Sequence, residues 1–143
     1  MSITGRVLRV HEAIYKRTDG RLGHKMIGVP TLLLRTTGRR SGATRTNGLV
    51  YARDGDDYLV VPSNGGADKA PAWLFNLRAN PDVEIQMGRD RQKGTARIVE
   101  PSDPSYERLW KIVNENNRDR YYAYQKQTSR PIQVVAVTPG SGQ

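Results

Sequence analysis

The spacing of hydrophobic residues changes several times along the chain, and each change marks a predicted element. Ile3, Val7, Val10 and Ile14 recur at helical spacing among Arg6, Arg9, Glu12, Lys16 and Arg17, which predicts a basic amphipathic helix over residues 1–17. Thr31 to Thr37 is a short apolar run that stops at glycine, and Thr46 to Arg53 is strand-like through Leu49, Val50 and Tyr51. Asp54-Gly55-Asp56-Asp57 then turns the chain into Tyr58, Leu59, Val60 and Val61, forming a hairpin. Pro71 suits a first helical turn, Trp73, Leu74 and Leu77 supply its apolar stripe, and Asn80-Pro81 ends the helix.

Val83, Ile85 and Met87 alternate with Asp82, Glu84 and Gln86, which is the period of a half-buried strand. Gly88 closes it, and Arg91 to Glu100 is its return strand. Asp103-Pro104 starts a helix carrying Tyr106, Leu109, Trp110 and Val113 on one face. A polar connection from Asn114 to Arg130 leads to a final strand through Ile132, Val134, Val135 and Val137, and residues 140–143 form a loose tail. About six strands arrive mostly in hairpin order, so the expected architecture is mainly β with flanking helices (α+β): an antiparallel sheet curled into a small barrel.

With 143 residues, the chain suits one domain, spanning 1–143. The absence of cysteine excludes disulfides, thiolate nucleophiles, zinc–thiolate sites and cysteine-ligated iron–sulfur clusters. His11 and His24 are the only histidines, so no metal site is expected and the usual general base is missing. An enzyme of this composition borrows its reactive group. No run approaches the ~18 to 20 apolar residues of a membrane span, and Arg6, Arg9 and His11 interrupt any signal-peptide core, so a cytoplasmic protein is expected. The N-terminal helix could still touch the anionic inner face of a membrane.

The 23 basic against 14 acidic residues give +9, which favours an anionic partner. No acidic residue lies between Asp19 and Asp54, while Arg21, Lys25, Arg35, Arg39, Arg40, Arg45 and Arg53 all do. A surface that only keeps a protein soluble mixes signs, so this stretch reads as an anion site. Its centre is Thr36-Thr37-Gly38-Arg39-Arg40-Ser41-Gly42, followed by Arg45. Glycines there permit bends that aim amides at one point, and arginine forks suit phosphate or carboxylate oxygens. The plainer alternative is a basic hairpin turn.

Two further groups stand out. Ser63-Asn64-Gly65-Gly66 follows a strand and lets a ligand approach the backbone. Arg118, Arg120, Tyr121, Tyr122, Tyr124, Gln125, Thr128 and Arg130 mix aromatic and basic side chains, and a helical turn would set Tyr121 and Tyr124 nearly on one face. The same mixture describes a single-strand nucleic-acid surface, so a non-enzymatic basic barrel is the competing reading, although tyrosines near a last strand more often pack.

These motifs, together with Pro71 to Pro81, resemble in order and spacing the deazaflavin (F420)-dependent nitroreductase family, over about Val29 to Pro139. The resemblance implies a split β-barrel, the 8-hydroxy-5-deazaflavin coenzyme F420, and hydride transfer to a small electrophilic acceptor: a quinone, a nitro compound or an α,β-unsaturated lactone or ketone. No nucleic-acid partner is expected, and the chain is expected to be a monomer or homodimer. The resemblance assigns the coenzyme's phosphate and polyglutamate tail to the basic turn, with Thr37, Gly38, Arg39, Arg40, Ser41, Gly42 and Arg45. Gly48 and Leu49 would lie along the ring, Ser63, Asn64 and Gly65 would complete the contacts, and Trp73 would wall the pocket. Tyr121 or Ser63 would serve as proton donor, with Tyr124 shaping the acceptor pocket. Asn64 stands where some members carry lysine, and Arg118 stands where nitroimidazole-reducing relatives can carry a tyrosine. A related split barrel using flavin mononucleotide, FMN, and a carrier that holds the coenzyme without turnover are the alternatives.

Overall fold

The computed structural model describes residues 29–140. Seven strands form one antiparallel sheet: β1 Thr31–Thr37, β2 Thr44–Val50, β3 Ala52–Asp54, β4 Asp57–Val60, β5 Asp82–Met87, β6 Asp90–Val99 and β7 Val134–Pro139. Three helices accompany it: α1 Ala72–Ala79, α2 Tyr106–Asn116 and α3 Arg120–Lys126. The helix expected over residues 1–17, the membrane contact attributed to it and residues 141–143 lie outside the described residues.

The strand order is β2-β1-β5-β6-β7-β4-β3, so β2 and β3 occupy opposite edges. Yet only Tyr51 separates them in sequence. Two peptide units span at most about 7 Å, which forces the two edges together at that point and curls the sheet into a barrel. The strand expected through Arg53 is therefore broken at Tyr51, whose N–H donates to Pro30 O at 3.1 Å and so extends the β1–β2 register by one residue before the chain crosses to β3. The predicted turn at Gly55 is present, with φ of 60°.

Strand alternation sorts the apolar side chains into two cores. Leu32 and Leu34, Tyr58 and Val60, Val83 and Ile85, and Val135 and Val137 point into the barrel, where Trp73, Leu74 and Leu77 of α1 join them. Leu59, Val99, Val134 and Ala136 face the other way, and Leu109 and Val113 of α2 with Tyr121 of α3 pack against them. Tyr106 fastens α2 by donating its hydroxyl to Ile132 O at 2.6 Å, and burial pushes its pKa up to about 12.

The Asn114–Arg130 segment, read from sequence as a polar connection, contains α3. Arg118 and Asp119 both take left-handed backbone conformations, reversing the chain after α2. Asn114, fully buried, then bridges the two helices: Nδ2 donates to Trp110 O at 2.9 Å and Oδ1 accepts from Tyr122 N at 2.8 Å. A side chain from the preceding helix thus supplies the partner that the first turn of α3 lacks.

Candidate functional site

The β1–β2 hairpin and the start of α1 enclose a cavity of about 680 Å³. β1 and β2 pair so that Leu32, Leu34 and Thr36 stand opposite Leu49, Asn47 and Arg45. Opposed residues share a face, so the row that lines the barrel core becomes polar at Asn47 and charged at Arg45. Both of those residues line the cavity, as do Arg39, Arg40, Ser41 and Trp73.

The hairpin turn is held from within and from α1. Gly38 N donates to Ala43 O at 2.8 Å and Gly42 N to Gly38 O at 2.9 Å, with Gly42 at φ of 73°, where a side chain would strain the backbone. Asn76, buried on α1, accepts from Arg39 N at 3.1 Å and donates to Thr36 Oγ1 at 3.2 Å. Pro71 and Ala72, which open α1, also line the cavity. The partial positive charge of a helix start therefore adds to the arginines.

Several arginines elsewhere have acidic partners. Arg35 meets Glu84 at 3.2 Å, Arg97 meets Asp103 at 3.2 Å, Arg108 meets Asp54 at 2.7 Å and Arg78 meets Glu100 at 3.4 Å. Among the described residues, Arg39, Arg40 and Arg45 form no salt bridge, and Arg39 instead lies over Phe75, 5.1 Å from the ring centroid. Three uncompensated guanidiniums around one cavity can neutralise a multiply charged ligand. A second cavity of about 450 Å³ lies beside β1, β5 and β6, but there Arg35 and Arg91 are both engaged by Glu84.

Thus the structure brings together Gly38, Arg39, Arg40, Ser41, Arg45 and Trp73 of the expected coenzyme residues. Thr37 lines the smaller cavity, and Gly42 shapes the turn without lining either. Gly48 and Leu49 continue β2 away from the arginines, opposite Leu33 and Leu32. Ser63 is buried at the start of the 3-10 turn Asn64–Gly66, Asn64 Nδ2 donates to Lys69 O at 3.0 Å, and Gly65 is exposed. None of these three lines the large cavity.

Tyr121 is in the α2–α3 core, with its ring centroid 6.3 Å from Trp110 and 6.2 Å from Tyr124, and it does not line the arginine cavity. Burial raises its hydroxyl pKa well above the ordinary tyrosine value, against a hydrogen bond to Asn117. Tyr124 is half-buried on the same helix, and its backbone abuts Gly66 of the 3-10 turn.

Asn47 and Asn76 escaped the sequence reading. The available signal for Asn76 was a polar residue on the Trp73–Leu77 stripe. Asn47 had the period-two step from Arg45.

Residues 7–139 match the family model described as F420H(2)-dependent quinone reductase. A protein named F420H(2)-dependent quinone reductase from Mycobacterium tuberculosis is 56% identical over 133 residues, covering 92% of this chain and 89% of its own. A solved structure described as an F420-H2 dependent reductase superposes with a TM-score of 0.67 at 38% identity, over 76% of this chain and 93% of that one. Another, described as a domain-swapped dimer, gives 0.69 at 33% identity, over 95% and 99%.

Proposed function

The chain belongs to the F420H(2)-dependent quinone reductase family, and from that membership we propose that it binds the deazaflavin coenzyme F420 in the arginine cavity and reduces a quinone. The observation that carries this reading is the set of three salt-bridge-free arginines, Arg39, Arg40 and Arg45, on one wall of a cavity whose other wall is a helix start. A coenzyme with a phosphate and a carboxylate tail matches that donor set. Neutral ligands would leave like charges crowded together.

The coenzyme, once bound, supplies the hydride, and the protein supplies position and charge. Arg40 and Arg45 take the anionic groups, the Ser41 hydroxyl adds a donor, and Arg39 is held in place by Asn76 and Phe75. Gly48 and Leu49, farther along edge strand β2, are proposed to lie along the ring, and Trp73 excludes water from one side. Ser63 and Tyr124, on adjoining elements, are assigned to the acceptor side. A phenol held protonated in a packed core suits support better than proton transfer, so Tyr121 is assigned to holding Tyr124 in place.

The match from residue 7 to 139 supports a single domain, and the relative described as a domain-swapped dimer supports a homodimer. No helix among the described residues is long and apolar enough to cross a membrane. The test is a spectroscopic titration of purified protein with F420 and, separately, with FMN, followed by turnover assays with a quinone series and a nitroimidazole. Saturable F420 binding with quinone reduction is expected; FMN binding in its place, or F420 binding without turnover of any acceptor, overturns the reading.

A further inference from the structure

Arg130 lies outside the arginine cavity and has a different environment from every arginine there. Its guanidinium faces backbone carbonyls: Nε donates to Ala67 O at 2.9 Å, and Nη2 donates to Ser63 O at 2.8 Å and Pro62 O at 3.3 Å. Its own backbone is fixed in turn. Arg130 N donates to Thr128 Oγ1 at 3.2 Å, Gln125 Nε2 donates to Arg130 O at 2.8 Å, and Gln125 Oε1 accepts from Ile132 N at 2.9 Å. One cation therefore ties three carbonyls of the segment after β4 to the segment before β7.

The tie is tight and costly. Nη1 is buried with no hydrogen-bond partner, and burial lowers the guanidinium's pKa from its ordinary value despite the nearby Asp68 carboxylate. Leaving a buried donor of a charged group unsatisfied is unfavourable. Beside it, a Cβ on Gly66 would come within 2.9 Å of Tyr124 O, and Gly66 has φ of 84°, so α3 rests directly on the backbone of the turn.

The tied segment leads straight to the cavity. Ala67 N donates to Asn64 O at 3.2 Å and Asn64 Nδ2 donates to Lys69 O at 3.0 Å, which carries the constraint from the turn to the residue two before Pro71. Past Ala70, Pro71, Ala72 and Trp73 form the helix-start wall of the arginine cavity.

We propose that Arg130 is a positioning residue: by holding the carbonyls of Pro62, Ser63 and Ala67 it sets the course of the loop that ends in Pro71, and so fixes the Trp73 wall of the arginine cavity. The three carbonyls are served from two nitrogens of one planar fork, a spread that the single nitrogen of an ammonium does not reproduce, and a thioether has no donor at all. The effect on the cavity wall is independent of what the cavity binds; the effect on coenzyme affinity rests on the function proposed above.

The chain has two tryptophans, so Trp110→Phe leaves Trp73 as the single indole reporter without touching the loop. In that background, Arg130→Met is expected to raise acrylamide quenching of Trp73 in the ligand-free protein, while thermal melting remains cooperative. Arg130→Ala is expected to behave likewise and to regain most of the lost protection in millimolar guanidinium. In the otherwise native protein, Arg130→Met is expected to raise KM for F420 about 10-fold while kcat changes by less than about threefold, as removal of binding shared by ground and transition states requires. Should Arg130→Met fail to fold, Arg130→Lys is read the same way, with a smaller increase. Unchanged Trp73 quenching, absence of guanidinium rescue, or a change in kcat with KM unmoved would overturn the proposal. If native protein binds no F420 while Trp73 still responds, the coenzyme reading fails and the positioning role stands.

Discussion

The β1–β2 and β3–β4 hairpins share a plan and treat charge in opposite ways. At the β3–β4 turn the charges are used within the fold. Asp54 is taken by Arg108 at 2.7 Å, Asp57 accepts from Thr138 Oγ1 at 2.8 Å, and Arg53 donates to Gly55 O while lying 4.0 Å from the centroid of the Tyr58 ring. At the β1–β2 turn Arg39, Arg40 and Arg45 have no acidic partner, and α1 contributes an amide side chain rather than a carboxylate. The difference teaches that net charge is a poor guide to this molecule and unpaired charge a good one. Seven basic residues fall in the acid-free stretch, but Arg35 is engaged by Glu84 from β5 and Arg53 is absorbed by its own hairpin.

The comparison breaks most sharply if the unpaired arginines prove dispensable. Replacing Arg40 and Arg45 together with alanine is expected to weaken F420 binding by more than about 100-fold, since hydrogen bonds to charged groups contribute about 1.5–3 kcal/mol each. Isothermal titration checks this, and the melting temperature should hold or rise as like charges are removed. An intermediate effect is expected from Asn76→Leu, which leaves the Arg39 amide and the Thr36 hydroxyl without their partner. Stability should fall by about 1–3 kcal/mol in a denaturant melt, and coenzyme affinity should fall several-fold because the turn loses its anchor. The smallest effect belongs to the other hairpin. Asp54→Asn removes the carboxylate from an exposed ion pair, so coenzyme affinity should stay within about twofold of native, as the same titration measures. A larger loss there would show that the two hairpins are electrostatically coupled.

Most of the sheet was legible because alternation is local: Val83, Ile85 and Met87 declare a strand and its inner face without outside help. The arginine turn was legible for a related reason, since an absence of acids can be read off the chain. What was hidden depended on distant partners. α3 has one buried residue, Tyr121, and its first turn is served by Asn114 from another helix, so its own segment offers only the Tyr121–Tyr124 spacing as a sign of it. Tyr121 and Tyr124 do share a contact, as their spacing predicts, but docking against Trp110 turns Tyr121 into a core and away from the cavity. Asn76 reads as an ordinary helix residue until Thr36, forty positions earlier, comes beside it.

The place of β7 in the sheet carries a consequence for how the protein is made. It is the last strand among the described residues, yet it lies between β6 and β4 and pairs with both. Before it emerges from the ribosome, the nascent chain can assemble a four-stranded sheet, β2-β1-β5-β6, and a separate β3–β4 ribbon of the kind that is marginal alone. Closure of the barrel therefore waits on the synthesis of β7, and a chain ended before Val134 would be left with two fragments and an exposed apolar face between them.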